Sequence, residues 1–175
     1  MVPTLERYDV RQIVQTKEPQ KPSAAYLKWR DLIAQKRVVV LPAQSGLQIA
    51  LDQNVALEFL SPPDDASAAP AIARLQVGNF GLLFAESAGT EEQAALRASD
   101  QAASALLVAP RKVSVEFIDA VNPQYAVIFS GKGARDKPSA DLLAALSRAT
   151  ILRTDERGTL EFILDGQTLV VRTTR

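Results

Sequence analysis

Between residues 47 and 84 the chain alternates apolar runs with turn sequences too short for anything but hairpins. Leu47 to Leu51 and Val55 to Leu60 are separated by Asp52-Gln53-Asn54, and Ala71 to Val77 and Phe80 to Phe84 by Gly78-Asn79. So few residues cannot carry the chain back along the length of a strand, so each pair must run antiparallel. After Thr90 the period changes. Thr90-Glu91-Glu92-Gln93-Ala94-Ala95-Leu96-Arg97 has helical spacing, and Thr90 with Gln93 fits a capping box. Strand and helix patterns then alternate: Ala105 to Ala109, Ser114 to Val121, Tyr125 to Phe129, Ser139 to Ser147 and Ala149 to Leu152. Alternation of that kind, added to the hairpins, points to a mixed sheet with helices on one face.

The ends complete this pattern. Pro3 and Thr4 begin a helical turn, Val10 to Val14 reads as a strand, and Ser23 caps a helix reaching about Lys36. Val38-Val39-Val40-Leu41 follows as a buried-type strand, so the opening is a βαβ unit. Thr159 to Leu164 and Thr168 to Arg172 pair across Asp165-Gly166-Gln167 as a terminal hairpin. The expected fold class is α/β: one domain over 1–175, a mixed sheet with helices on one face and a C-terminal β-hairpin. Ser61-Pro62-Pro63-Asp64-Asp65-Ala66-Ser67 reads as a loop.

Residue types narrow the chemistry. The chain has neither cysteine nor histidine. Disulfides, thiolate nucleophiles, zinc–thiolate sites and the usual neutral-pH general base are therefore excluded. Only an all-carboxylate metal site remains open, which suits calcium or magnesium. Twenty basic and twenty acidic side chains leave no overall field to draw in a polyanion. No apolar run approaches the roughly 20 residues that span a bilayer. Ser114 and Ser139 each precede a helix and read as caps rather than nucleophiles. Asp64-Asp65 and Glu91-Glu92 fit a solvated loop and a helix start, and Asp155 with Gly158 shapes a turn. Gly131-Lys132-Gly133 is too short for a phosphate loop of the Walker kind.

Several phrases resemble a known family. Phe117-Ile118-Asp119-Ala120-Val121-Asn122-Pro123-Gln124-Tyr125-Ala126-Val127-Ile128 and Arg153-Thr154-Asp155-Glu156-Arg157-Gly158-Thr159-Leu160-Glu161-Phe162 are similar to the C-terminal part of ComEC-type competence proteins. Phe80 to Ala88, Leu106 to Ser114, Leu5 to Val10 and Tyr26 to Gln35 resemble it more loosely. The resemblance implies a metallo-β-lactamase-like half, with the first half and its His-x-His-x-Asp-His motif upstream of this sequence.

At the remaining ligand positions the resemblance implies substitution. Ser87 stands in place of a bridging aspartate and Glu86 in place of its glycine, Arg111 and Lys112 replace a His-His pair, and Lys137 replaces a later histidine. Fixed positive charge repels a metal ion, so the expectation is a pseudoenzyme with no cofactor. Arg111, Lys112, Lys132, Arg135 and Lys137 would then share one rim and hold a phosphate or single-stranded DNA weakly, with Asp136 offsetting part of the charge. The alternative is that these are solvated loop charges. The resemblance further implies a soluble domain of a membrane-embedded bacterial inner-membrane protein related to DNA uptake. A rival reading is half of an active metal-dependent nuclease completed upstream or by a partner chain. One sheet face, carrying side chains from Val38 to Leu41, Leu82 to Phe84 and Leu106 to Val108, is expected to lack a cover. That would favour a homodimer or packing against the missing half.

Overall fold

The structure, a computed structural model, describes residues 2–16, 18–19, 21–61, 71–131, 133 and 137–174. Its frame is a seven-stranded sheet made of β3 (Gln48–Asp52), β4 (Val55–Ser61), β5 (Ile72–Val77), β6 (Phe80–Phe84), β7 (Leu106–Val108), β8 (Tyr125–Ile128) and β9 (Thr150–Arg153). Among the described residues these strands lie in sequence order. β3 pairs with β4 and β5 with β6 antiparallel through the two expected hairpins, β4 pairs antiparallel with β5, whose connection lies outside the described residues, and β6 to β9 pair parallel. The change of direction falls where the sequence changes period. The connections between the parallel strands carry α3 (Thr90–Ala98), α4 (Val115–Val121) and α5 (Ala140–Ala145).

These helices cover one face. Leu96, Phe117, Ile118, Val121, Leu142 and Leu146 pack on Leu83, Leu107, Ala126 and Ile128, and the cluster is closed to solvent. Ser114 and Ser139 do cap their helices. Their hydroxyls accept hydrogen bonds from Phe117 N at 3.1 Å and Leu142 N at 3.2 Å. At α3 the expected capping pair is not formed. Gly89 is the N-cap, and its N–H donates to the Glu92 carboxylate at 2.8 Å, which releases Gln93 to turn inward.

The opposite face is covered as well, contrary to the expectation of an open surface. The terminal hairpin, β10 (Leu160–Leu164) and β11 (Leu169–Thr173), lays Leu160, Phe162 and Leu164 over Leu82, Leu106, Val108 and Val127. Alternation explains the fit, because every second residue of β10 faces the sheet. The hairpin is fixed at both ends. At its tip, Asn79 N donates to Gly166 O at 3.2 Å. At its root, the one-turn helix α6 (Thr154–Arg157) stands where the sequence reads as a plain turn. There Arg153 grips Asp155 at 2.6 and 3.1 Å and Glu156 at 2.5 Å. The hydrogen bond to Asp155, ahead of its charge and that of Glu156, holds the Arg153 guanidinium above its ordinary pKa. Thr154 Oγ1 donates to Ser130 O at 3.0 Å and accepts from Ser130 N at 2.9 Å, which prolongs the β8–β9 ladder with a side chain.

The opening βαβ unit forms, though apart from the main sheet. After α1 (Val2–Arg7), β1 (Gln12–Gln15) and β2 (Val39–Pro42) make a separate two-stranded parallel pair joined by α2 (Ala24–Lys36). Its core is Leu5, Trp29, Ile33 and Val38. The buried-strand expectation for β2 fails. Val39 is 50% and Val40 43% exposed, since among the described residues β2 pairs with β1 alone.

Gly78 offers a direct test of the hairpin's seat. Its φ is +54°, and a Cβ there would lie 2.5 Å from Gly166 Cα. Gly78→Ala should cost about 2 kcal/mol of stability through backbone strain and this clash. Gly46→Ala is the control. Gly46 has φ +86° but open space around it, and should lose clearly less in urea denaturation. Equal losses would mean that the tip contact contributes nothing.

Asp165 in the hairpin turn offers a second. Hydrogen bonds from Thr168 N–H, then Gln167 N–H, then the Thr168 hydroxyl, hold its carboxylate down to about 2 from an ordinary 3.8. A depressed folded-state pKa stabilises the fold above the unfolded value and loses that contribution as pH falls toward 2. Asp165→Asn should therefore flatten the acid limb of the stability profile between about pH 4 and pH 2. An NMR titration placing the Asp165 carboxyl near 4 would contradict the turn geometry.

Candidate functional site

Parallel strands ending side by side place their following loops on one rim, the usual location of ligand sites in α/β sheets. Here that rim holds a small cavity of about 140 Å³. Glu86 reaches it from the loop after β6, Ala109, Pro110 and Arg111 from the exit of β7, and Phe129 from the exit of β8. Lys137, Pro138 and Ser139 line it from the entry to α5. Two cations and one carboxylate thus face one hollow whose floor is Ile128 and Leu142.

The proposed rim is therefore gathered in part. Arg111 and Lys137 share the cavity, although they lie 26 positions apart in the chain. Lys112 is exposed and does not line it, and Ser87 is exposed beside Glu86 without lining it. Lys132, Arg135 and Asp136 lie outside the described residues, as do Asp64 and Asp65. Ser139 lines the hollow, but its hydroxyl oxygen is committed to the cap on Leu142.

Gln93 organises this rim, and sequence reading assigned it a different role. Its buried amide donates to Ala88 O at 3.1 Å and Lys112 O at 2.8 Å, and its carbonyl accepts from Ser114 N at 3.1 Å. One side chain thereby satisfies three backbone groups and ties the loop after β6 to the loop after β7. The available signal was its spacing of three residues before the buried Leu96, which puts a polar amide on the inward face of α3. Gln93→Leu leaves those groups unpaired in an apolar setting, so a loss of about 2 to 4 kcal/mol is expected. Hydrogen exchange should quicken at Ser114 N–H. An unchanged exchange rate there would remove Gln93 from the support of the rim.

No group of three or more Asp and Glu side chains suited to a metal ion occurs among the described residues. The charges that do converge, Arg111 and Lys137 against Glu86, do not fit a divalent cation, which needs several lone-pair donors. They fit an anion better. Among the described residues no helix is long and apolar enough to cross a membrane. Neither the protein-family models nor the curated proteins compared with the chain give a match.

Proposed function

We propose that this chain is a catalytically silent domain of metallo-β-lactamase-like build, related to DNA uptake, that contacts phosphate weakly at the rim of its parallel strands. The observation that carries the reading is the convergence of Arg111 and Lys137 on one cavity, where the ComEC resemblance assigns metal ligands. A guanidinium and an ammonium give charge-assisted hydrogen bonds to a phosphodiester oxygen. They also oppose a metal ion, so water activation by a bound metal has no support from these positions. Glu86 lowers the net charge of the hollow, which suits weak rather than tight binding. In this reading the domain serves as a scaffold within a larger membrane-embedded uptake protein; the hairpin already covers the sheet face whose exposure would have favoured a homodimer or packing against a missing half.

Binding of fluorescent oligothymidylate, followed by anisotropy across a salt series, tests the proposal. Affinity should fall steeply with salt. Replacing both Arg111 and Lys137 by alanine should weaken binding and reduce the log–log salt slope by about 1. Lys112→Ala, outside the cavity, should do much less. Unchanged binding in the Arg111/Lys137 double variant would remove the phosphate contact. Stoichiometric zinc or manganese on the purified chain, with phosphodiesterase activity, would overturn the silent-domain reading in favour of a metal-dependent nuclease half.

A further inference from the structure

A separate cavity, of about 600 Å³, lies where the opening βαβ unit meets the main sheet. β1 and α2 supply one side of it, and Phe59 of β4 with Ala71 at the entry to β5 supplies the other. Among the described residues no ladder joins β1 or β2 to the seven-stranded sheet. Small-molecule sites favour junctions of this kind, and the volume falls within their usual range. Every residue lining the cavity is uncharged, and none of them lines the cationic hollow. A charge buried here would lack a partner, so the guest that fits is neutral.

The walls select a shape as well. Tyr26, Phe59 and Trp29, the chain's one tryptophan, all belong to them. The Tyr26 and Trp29 rings stand one turn apart on α2, with centroids 5.2 Å apart and planes tilted by 40°. Aromatic faces gain most from another flat ring. Tyr26 is fixed at both ends: its backbone N–H donates to Ser23 Oγ in the α2 cap at 3.2 Å, and its hydroxyl oxygen accepts from Gln15 Nε2 at 2.8 Å. Among the described residues, the phenolic O–H and the Gln15 amide oxygen are left without partners. One donor and one acceptor thus stand side by side on an apolar wall. A lactam edge is their complement, since its carbonyl accepts and its N–H donates.

We propose that this cavity binds an uncharged planar heterocycle carrying a lactam group, its ring against Tyr26, Trp29 and Phe59 and its lactam edge on the Tyr26–Gln15 pair. The inference goes beyond the phosphate reading and does not rest on it, because the two sites have no residue in common.

Titration with 2-quinolinone, followed by quenching of Trp29 fluorescence, provides the test. With a single tryptophan in the chain, the signal comes from the cavity wall. Quenching should saturate. N-methyl-2-quinolinone keeps the rings and the carbonyl but lacks the N–H, and should bind about tenfold more weakly. A 2-quinolinone bearing a carboxylate should bind more weakly than the parent, for want of a counter-charge. Tyr26→Phe should lower the affinity for 2-quinolinone about tenfold, through loss of the hydroxyl donor. Gln15→Leu should erase the preference for 2-quinolinone over its N-methyl derivative. Ala25→Phe, at an exposed position on the wall, should block both probes, with circular dichroism confirming that the fold is kept. Quenching that never saturates, equal affinity for 2-quinolinone and its N-methyl derivative, or unaltered binding in Ala25→Phe would each overturn the proposal. Saturable binding of 2-quinolinone alongside failure of oligothymidylate to bind would support it and sink only the phosphate reading.

Discussion

Burial of the central strands on both faces is the constraint from which the remaining architecture follows. β6, β7 and β8 are apolar at nearly every position, so each must be covered above and below. Leu83, Leu107 and Ala126 reach toward α3, α4 and α5, while Leu82, Leu106 and Val127 reach toward the terminal hairpin. Neither cover is optional. Without the helices the crossovers would have nowhere to lie, and without the hairpin a greasy surface would meet water.

That same constraint creates the rim. Parallel strands covered on both sides can expose chemistry only at their ends, and the loops there are anchored by a few polar contacts. Gln93 joins two of them, and Thr154 braces a third through Ser130. Arg111 lies in the loop that Gln93 ties to its neighbour and Lys137 just before α5, and both are exposed.

Much of the frame was legible before any coordinates. Turn sequences such as Gly78-Asn79 and caps such as Ser114 and Ser139 act locally, so residue identity alone locates them. What escaped depended on neighbours distant in sequence. Val39 and Val40 read as buried because an apolar run does not reveal how many strands flank it. The inward row Leu160, Phe162 and Leu164 was blurred by apolar Ile163 and Val170 on the outer face. At the site, the meeting of Arg111 with Lys137 was anticipated from resemblance, whereas the exclusion of Lys112 and the bracing by Gln93 were not. Both depend on how one loop turns, and short-range propensity carries no information about that.

The double tether of the hairpin has a consequence for how firmly weak contacts hold. The tip makes little more than a single backbone hydrogen bond between Asn79 and Gly166, too little to matter between free molecules. With Arg153 and Asp155 pinning the root, that encounter becomes intramolecular, and the ends of the closed loop meet at high effective concentration. Two short strands can then shield the apolar side chains of the central strands, provided that neither anchor is released first.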